Sequence, residues 1–549
     1  MAMRERLGEL FGRASAYFMD LRNQPERLVP VAVILIVLNL IAISAGGPSE
    51  QVGTSDREAA DSLEPGEFLP GEALPGELTE DGTAPGSPGA RTGARRGSSS
   101  SGGGGAVAPP VTDSEIKVGI PYLQDPGTAN QAAGFAGIGQ VDQRRGWEAM
   151  IKEVNKKPPH GRKVVPVWYP FTTNDVLSKG ASQMAQEQCA LWTRDDPVFI
   201  VWSSGTDELR ACLTKGGVAQ IGGGTGFSYE QTWKDYPYLV EHNSSALDRM
   251  AEFHVDQLVA KGFFSKCKNH PSNDPCVDGK PRIGLIRYDQ PSYKAGSARM
   301  KKALAAHGLA LCNGCEFEIS YSNDNIAAQL DDATEVNNAI NNCRTAKTVP
   351  APGDTSTPPG PCTHMLFLGS TAGVRITLFY VQRAEDQGYR ARLGFNTLDH
   401  PAAVRDFYAG QGQGEKYNNQ FTNSLLVSYS PGTLDLRPDG FQDCMKLFTD
   451  AGETFGGSDD SAGNKKNQIS GYCDSAWYHL AAFNAAGPTV NLDTWLKGVA
   501  NTGFIKSAGA FLMRTTAGRH DGASAIRIGD WDAGGDCKCW RPVTGDIPV

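Results

Sequence analysis

The sequence has no cysteine before residue 189, no charged residue from Leu28 to Ser49, and no basic cluster in its globular part. Each absence excludes something. With 61 acidic against 52 basic residues the net charge is -9, which argues against nucleic acid, whose phosphates demand a basic face. There is no G-x-S-x-G elbow, no H-E-x-x-H and no G-x-x-x-x-G-K-S/T phosphate loop, so no motif of these enzyme chemistries is present. The nine histidines are scattered, and His242 and His364 are expected to be structural or exposed rather than catalytic. The chain is read as a non-enzyme without cofactor or metal.

The uncharged run LVPVAVILIVLNLIAISA is long enough to cross a bilayer, which takes about 20 apolar residues. Five arginines precede it (Arg4, Arg6, Arg13, Arg22, Arg27), and the first charges after it are mainly acidic, so the N-terminus is placed in the cytoplasm. Ala42-Ile43-Ser44 resembles a signal-peptide cleavage site, but the leader and apolar core are long for a signal peptide, which favours an uncleaved anchor. The expected division is a cytoplasmic leader over 1–27, a transmembrane anchor over 28–47 and a disordered Pro/Gly/Ser/Glu linker over 48–113. Everything beyond the linker is then extracellular.

All twelve cysteines lie there, and an even number outside the cell suggests six disulfides. Neighbour pairing is the simplest arrangement: Cys189 with Cys212, Cys267 with Cys276, Cys343 with Cys362, and Cys444 with Cys473. The close pairs Cys312/Cys315 in CNGC and Cys537/Cys539 in CKC have redox or metal use as an alternative. CNGC precedes the strand-like EFEISY and does not open a helix, which disfavours that use.

At 549 residues the chain can bury more than one core. From Ser114 onward, strand-like runs (IKVGIPY, KVVPVWYPF, PVFIVW, GVAQIG, RIGLIRY, HMLFLG, RLGFN, LLVSYS) alternate with helical stretches such as QRRGWEAMIKEVNKK and YKAGSARMKKALAAHG. That pattern predicts an α/β fold with parallel sheets, whose ligands bind beyond the carboxyl ends of the strands. Two such ends are nearly bare: Ser203-Ser204-Gly205-Thr206 and Gly222-Gly223-Gly224-Thr225-Gly226. Their amides and hydroxyls suit a carboxylate. The alternative is a helix cap at Ser204 and glycines that only turn the chain.

The order KVGIPY, GRKVVPVWYPF, SSGT, IGGGT and RIGLIRYDQPSYKAG, with GYCDSAWYHLAAFNAAG and GRHDGASAIRIGDWD later, resembles the type I periplasmic-binding-protein family. The similarity is to its branched-chain-amino-acid-binding (Leu/Ile/Val-binding) group, the substrate-binding proteins of ABC importers, and runs from about Glu115 to the end. It implies two Rossmann-like lobes joined by a three-strand hinge: lobe 1 over 114–241 and 431–506, lobe 2 over 242–430 and 507–549. It also implies a ligand site of Ser203, Ser204, Thr206, Gly224 and Thr225 on the first lobe, with Tyr293, Ser370 and Asn396 on the second. Asn396 stands where relatives carry an acid, for which Asp399 or Asp289 can substitute. Tyr122 and Phe227, like Trp168 and Trp202, are candidates to stack on the ligand.

The expected function is capture of a small polar ligand, an amino acid or related amide or carboxylate, by hinge closure, and its delivery to an ABC permease. Alternatives are a ligand-sensing receptor of the same fold without transport and a surface scaffold that binds nothing.

Overall fold

The computed structural model describes residues 110–126, 141–203, 205–222, 228–265, 280–321, 326–345, 360–369, 374–437, 439–455, 465–534 and 538–549. The expected leader and anchor, and the linker up to residue 109, lie outside them. Among the described residues no helix is long and apolar enough to cross a membrane. Residues 110–113, assigned to the linker, are already part of the fold: Lys117 N donates to Pro110 O at 2.9 Å, and Val111 bridges Ile116.

The first sheet contains β1 (Glu115–Leu123), β2 (Lys163–Phe171), β3 (Ile200–Val201), β4 (Ala219–Gly222) and β5 (Leu239–Glu241). All are parallel, in the order β2-β1-β3-β4-β5. The intervening helices are α1 (Gln143–Val154), α2 (Thr173–Ala190), α3 (Asp207–Lys215) and α4 (Glu230–Asp235). Three of them start where a local acceptor meets free amides: Asp142 caps α1, Thr172 with Asp175 forms a capping box on α2, and Thr206 caps α3. Gly119 of β1 is a close approach, since a Cβ there would stand 2.8 Å from the buried Trp192 ring.

The second sheet repeats that winding. It comprises β6 (Ile283–Tyr288), β7 (Leu311–Ile319), β8 (His364–Leu368), β9 (Arg392–Asn396) and β10 (Leu425–Ser428), in the parallel order β7-β6-β8-β9-β10. Antiparallel β11 (Ala525–Trp531) and β12 (Trp540–Pro542) extend it, with β13 (Ile547–Pro548) on β11. Its helices are α5 (Leu247–Ala260), α6 (Pro291–Ala306), α7 (Ile326–Thr345), α8 (Val374–Asp386) and α9 (Pro401–Gly410). β8 and β9 are buried at every residue, as strands covered on both faces must be. Three further helices, α10 (Asp439–Asp450), α11 (Lys465–Ala486) and α12 (Leu492–Ala500), return to the first sheet. Phe441, Phe448, Tyr478 and Trp495 from them share a core with Ile116, Ile200 and Ile221. The parallel α/β architecture is the one the sequence predicts for the type I periplasmic binding fold.

Three chain crossings connect the lobes, and they bond to one another. Glu241 N donates to His520 O at 2.9 Å and Gly522 N to Glu241 O at 2.8 Å, while Phe511 N donates to Tyr429 O at 3.0 Å. Gly522 packs so tightly on the His242 carbonyl that a Cβ has no room.

Cys189–Cys212 and Cys444–Cys473 are disulfides, and Cys539 is disulfide-bonded. Cys267, Cys276 and Cys537 lie outside the described residues. The expected Cys343–Cys362 and Cys312–Cys315 bonds are open in this structure: all four residues are buried thiols. CNGC also does not precede a strand; it lies inside β7.

The Cys444–Cys473 bridge spans a sequence separation of 29 and ties α10 to α11. Replacing both by alanine is expected to lower stability by about 3–4 kcal/mol in chemical denaturation. Asp474, on α11, accepts from Ala508 N, Gly509 N, Ser507 Oγ and Asn243 Nδ2, yet burial outweighs these donors and raises its pKa to about 6. The folded state therefore holds the proton better than the unfolded chain, and this contribution to stability is lost as pH rises through about 6. The stability difference between wild type and Asp474→Asn should shift against wild type between about pH 4 and 6; a constant difference would refute the elevated pKa.

Candidate functional site

Residues that follow β3, β4, β6 and β7 come together around one cavity. β3 is only two residues long, and the chain after it runs through Trp202, Ser203 and Gly205 to Thr206, where α3 begins. The Thr206 hydroxyl accepts from Leu209 N at 3.2 Å, so it caps its own helix and is nearly buried. The expected cap at Ser204 is thus made two residues later. Ser203 and Thr206 both line a cavity of about 30 Å³ inside lobe 1, with Pro121 and Phe171, large enough for about one water.

A larger cavity, about 210 Å³, has walls from both lobes. Lobe 1 contributes Asp207 and Arg210 of α3 and Tyr229, Thr232, Asp235 and Tyr236 at α4. Lobe 2 contributes Gln290, Pro291 and Ser292 at the start of α6, and Tyr321 just after β7. Gln290 precedes α6 without a side-chain cap bond, and Pro291 at the first turn has no amide to satisfy.

Arg210 is 1% exposed and joins this wall to the crossing. Its guanidinium donates to Asp207 Oδ1 and to Glu241 Oε1, both at 3.2 Å. Glu241, at the end of β5, is wholly buried and also accepts from Ser228 Oγ at 2.5 Å and Ser244 Oγ at 3.1 Å. Burial pushes its carboxyl above the usual range, opposed by Arg210 and the two hydroxyls. On the other wall, Tyr321 packs edge-on to Tyr288, and the buried Arg375 lies 5.8 Å over the Tyr321 ring while pairing with Asp332 at 3.5 Å. At the rim Glu230 of lobe 1 meets Arg299 of α6 at 3.3 Å, an ion pair between lobes.

The site residues expected from sequence are distributed differently. Ser204, Gly224, Thr225, Phe227 and Ser370 lie outside the described residues. Tyr293 is placed in the lobe 2 core and not on the cleft wall: it is 0% exposed, edge-on to Tyr288 at 5.4 Å. Successive helical residues are about 100° apart, so when Ser292 faces the cavity its neighbour faces the sheet. Asn396 is also wholly buried, donating to Phe367 O and accepting from Leu398 N. Asp399 and Asp289 serve backbone amides: Asp399 accepts from Gly369 N and Asn396 N, and Asp289 from Tyr321 N. Tyr122 is nearly buried, edge-on to Trp168 at 5.5 Å, its hydroxyl accepting from Arg144. Trp202 is buried and donates to His479 Nδ1. His364 is buried against Phe263 O, and burial holds His242 near a pKa of about 3.

Asp207, Arg210, Tyr236, Gln290, Ser292 and Tyr321 were not anticipated. DELR after SSGT marks Asp207 and Arg210, and YDQPS just before the expected Tyr293 marks Gln290 and Ser292; Tyr236 and Tyr321 carry no such signal.

No family model and no curated protein matches this chain. Among solved structures, it is similar to a solute-binding protein of an ABC transporter from Rhodopseudomonas palustris HaA2 in complex with p-hydroxybenzoic acid, with TM-score 0.49 and 11% identity, covering 79% of this chain and 97% of that one. A possible leucine/isoleucine/valine-binding protein from Rhodopirellula baltica SH 1 gives TM-score 0.49 and 12% identity, covering 80% and 98%. A substrate-binding protein of an ABC transporter from Desulfitobacterium hafniense, in complex with Leu, gives 0.47 and 12%, covering 78% and 100%. At such identities the likeness is one of fold.

Arg210→Ala would strand Glu241 in the interior without its cation. The expected loss is about 3–5 kcal/mol in chemical denaturation, and Arg210→Met with Glu241→Gln should recover part of it. A loss under about 1 kcal/mol would mean the pair is not buried in solution.

Proposed function

We propose that this chain is an extracellular solute-binding protein, held to the membrane by residues 28–47, which captures a small polar ligand between its lobes and delivers it to an ABC importer. One observation carries the reading: the 210 Å³ cavity takes its walls from both lobes, from the segments after β3 and β4 on one side and after β6 and β7 on the other. A ligand there contacts Asp207 and Tyr236 on one side and Ser292 and Tyr321 on the other, so its affinity depends on lobe separation. Hinge closure follows from that dependence, since a ligand shifts an equilibrium only by its differential affinity for the two states.

The volume suits a solute of amino-acid size. The lining supplies carboxylates for an ammonium group, hydroxyl and amide groups for a carboxylate or amide, and aromatic faces for an apolar side chain. The anchor is supported by the uncharged run and by the arginine bias before it.

The test is a thermal-shift screen of the protein against amino acids, amides and small aromatic or aliphatic carboxylates, followed by calorimetry. A true ligand at 100 times its Kd should add about 2.7 kcal/mol of stability. Tyr236→Ala should weaken that ligand at least about tenfold, which is about 1.4 kcal/mol, without changing the fold by circular dichroism. A screen in which nothing shifts the melting point would favour the non-binding scaffold.

A further inference from the structure

The four thiols of lobe 2 come from three separate elements and meet at one place. Cys312 and Cys315 lie in β7, the edge strand beside β6; Cys343 is in the last turns of α7; Cys362 lies two residues before β8. The Cys362 sulfur is 2.8 Å from that of Cys343 and 3.5 Å from that of Cys315. Cys362 N also donates to Cys343 O at 3.0 Å, fixing the two backbones together. Cys312 is 3% exposed and the other three are 0% exposed.

A deformation of β7 makes this convergence possible. In a regular strand, residues three apart point to opposite faces, so Cys312 and Cys315 would diverge. Here Ile283 pairs with Leu311 and Leu285 with Glu316, so two steps along β6 match five along β7. The three extra residues make a bulge around CNGC, whose Asn313 and Gly314 are exposed while both cysteines turn inward. Gly314 takes φ +72°, a conformation other residues adopt only with strain.

The spacing argues against a shared metal ion. Thiolates around one tetrahedral zinc stand about 3.8 Å apart, given Zn–S bonds of about 2.3 Å. The Cys343–Cys362 separation is an ångström shorter. Sulfurs at that distance are placed for bonding to each other. Two other pairs in the same chain, Cys189–Cys212 and Cys444–Cys473, are closed.

We propose that Cys312, Cys315, Cys343 and Cys362 form one oxidation site, a thiol–disulfide unit in which Cys362 bonds to either Cys343 or Cys315. Each closure releases two protons and two electrons, and the electrons reduce the disulfide of an external oxidant, such as oxidised glutathione, to two thiols. With one bond in place, the Cys315 thiolate attacks the Cys362 sulfur of Cys343–Cys362. The Cys315–Cys362 bond forms, Cys343 leaves as thiolate, and no outside reagent is consumed. A second oxidation closes Cys343–Cys362 together with Cys312–Cys315, locking the bulge to the α7–β8 corner.

The full chain, equilibrated with oxidised glutathione and then alkylated in non-reducing denaturant, should show no alkylation at any of the four, and peptide mapping should find Cys343 linked to Cys362. In Cys343→Ser, the peptide containing Cys315 should become cross-linked to Cys362, leaving Cys312 alkylated. Four fully alkylated cysteines in a wild-type chain whose Cys189–Cys212 bond is closed would overturn the oxidation site. Cys362 fully alkylated in Cys343→Ser, with Cys312 bonded to Cys315, would overturn the exchange.

Discussion

A carboxylate with no water on it stands where the chain first leaves lobe 1. Glu241 ends β5, and its two oxygens receive Arg210, Ser228 and Ser244. A buried charge is tolerable only when its partners are all present, so the residues around it are mutually dependent. Because Arg210 also lines the inter-lobe cavity, the cavity wall and the end of β5 are parts of one electrostatic unit. The neighbouring Asp521 does the same for the third crossing, accepting from Ala246 N and from Arg249 Nε at 2.7 Å. Both lobes are thus attached to the chain crossings through polar groups, while the aliphatic cores stay on either side of them.

The fold was largely legible because parallel strands covered on both faces leave short, nearly continuous apolar runs between amphipathic helices. Such runs mark β1, β6, β8 and β9 well. They overstate β3, where Val198 to Trp202 are all buried but only Ile200 and Val201 make ladder pairs. Apolarity reports burial, and pairing depends on neighbours the sequence does not display.

The site was legible as loops and much less as side chains. The turn after β6 was singled out in the sequence; of its residues Gln290 and Ser292 line the cavity and Tyr293 faces the core. A single residue of helical phase separates these outcomes. Thr206, Asp289, Asn396 and Asp399 look available in the sequence and are engaged by nearby backbone groups in the fold. Cysteine pairing shows the same division. Bridges between neighbouring helices, as for Cys189 and Cys212, follow from proximity along the chain. The cluster around Cys362 depends on a bulge that no periodicity reveals.

The lobes also differ in how the polypeptide supplies them. The five parallel strands of lobe 2 are all present once Ser428 has been made, and they come from one continuous stretch. Lobe 1 begins at the first described strand, yet its core is closed by Phe441, Tyr478, Trp495 and Met513, made some three hundred residues later. A ribosome therefore completes the beginning of this lobe long before its other half exists, leaving the apolar face of its sheet uncovered. Lobe 2 in turn waits for Trp531 and Trp540, which pack on Phe395 and Phe421, so neither core is complete until the chain is nearly finished.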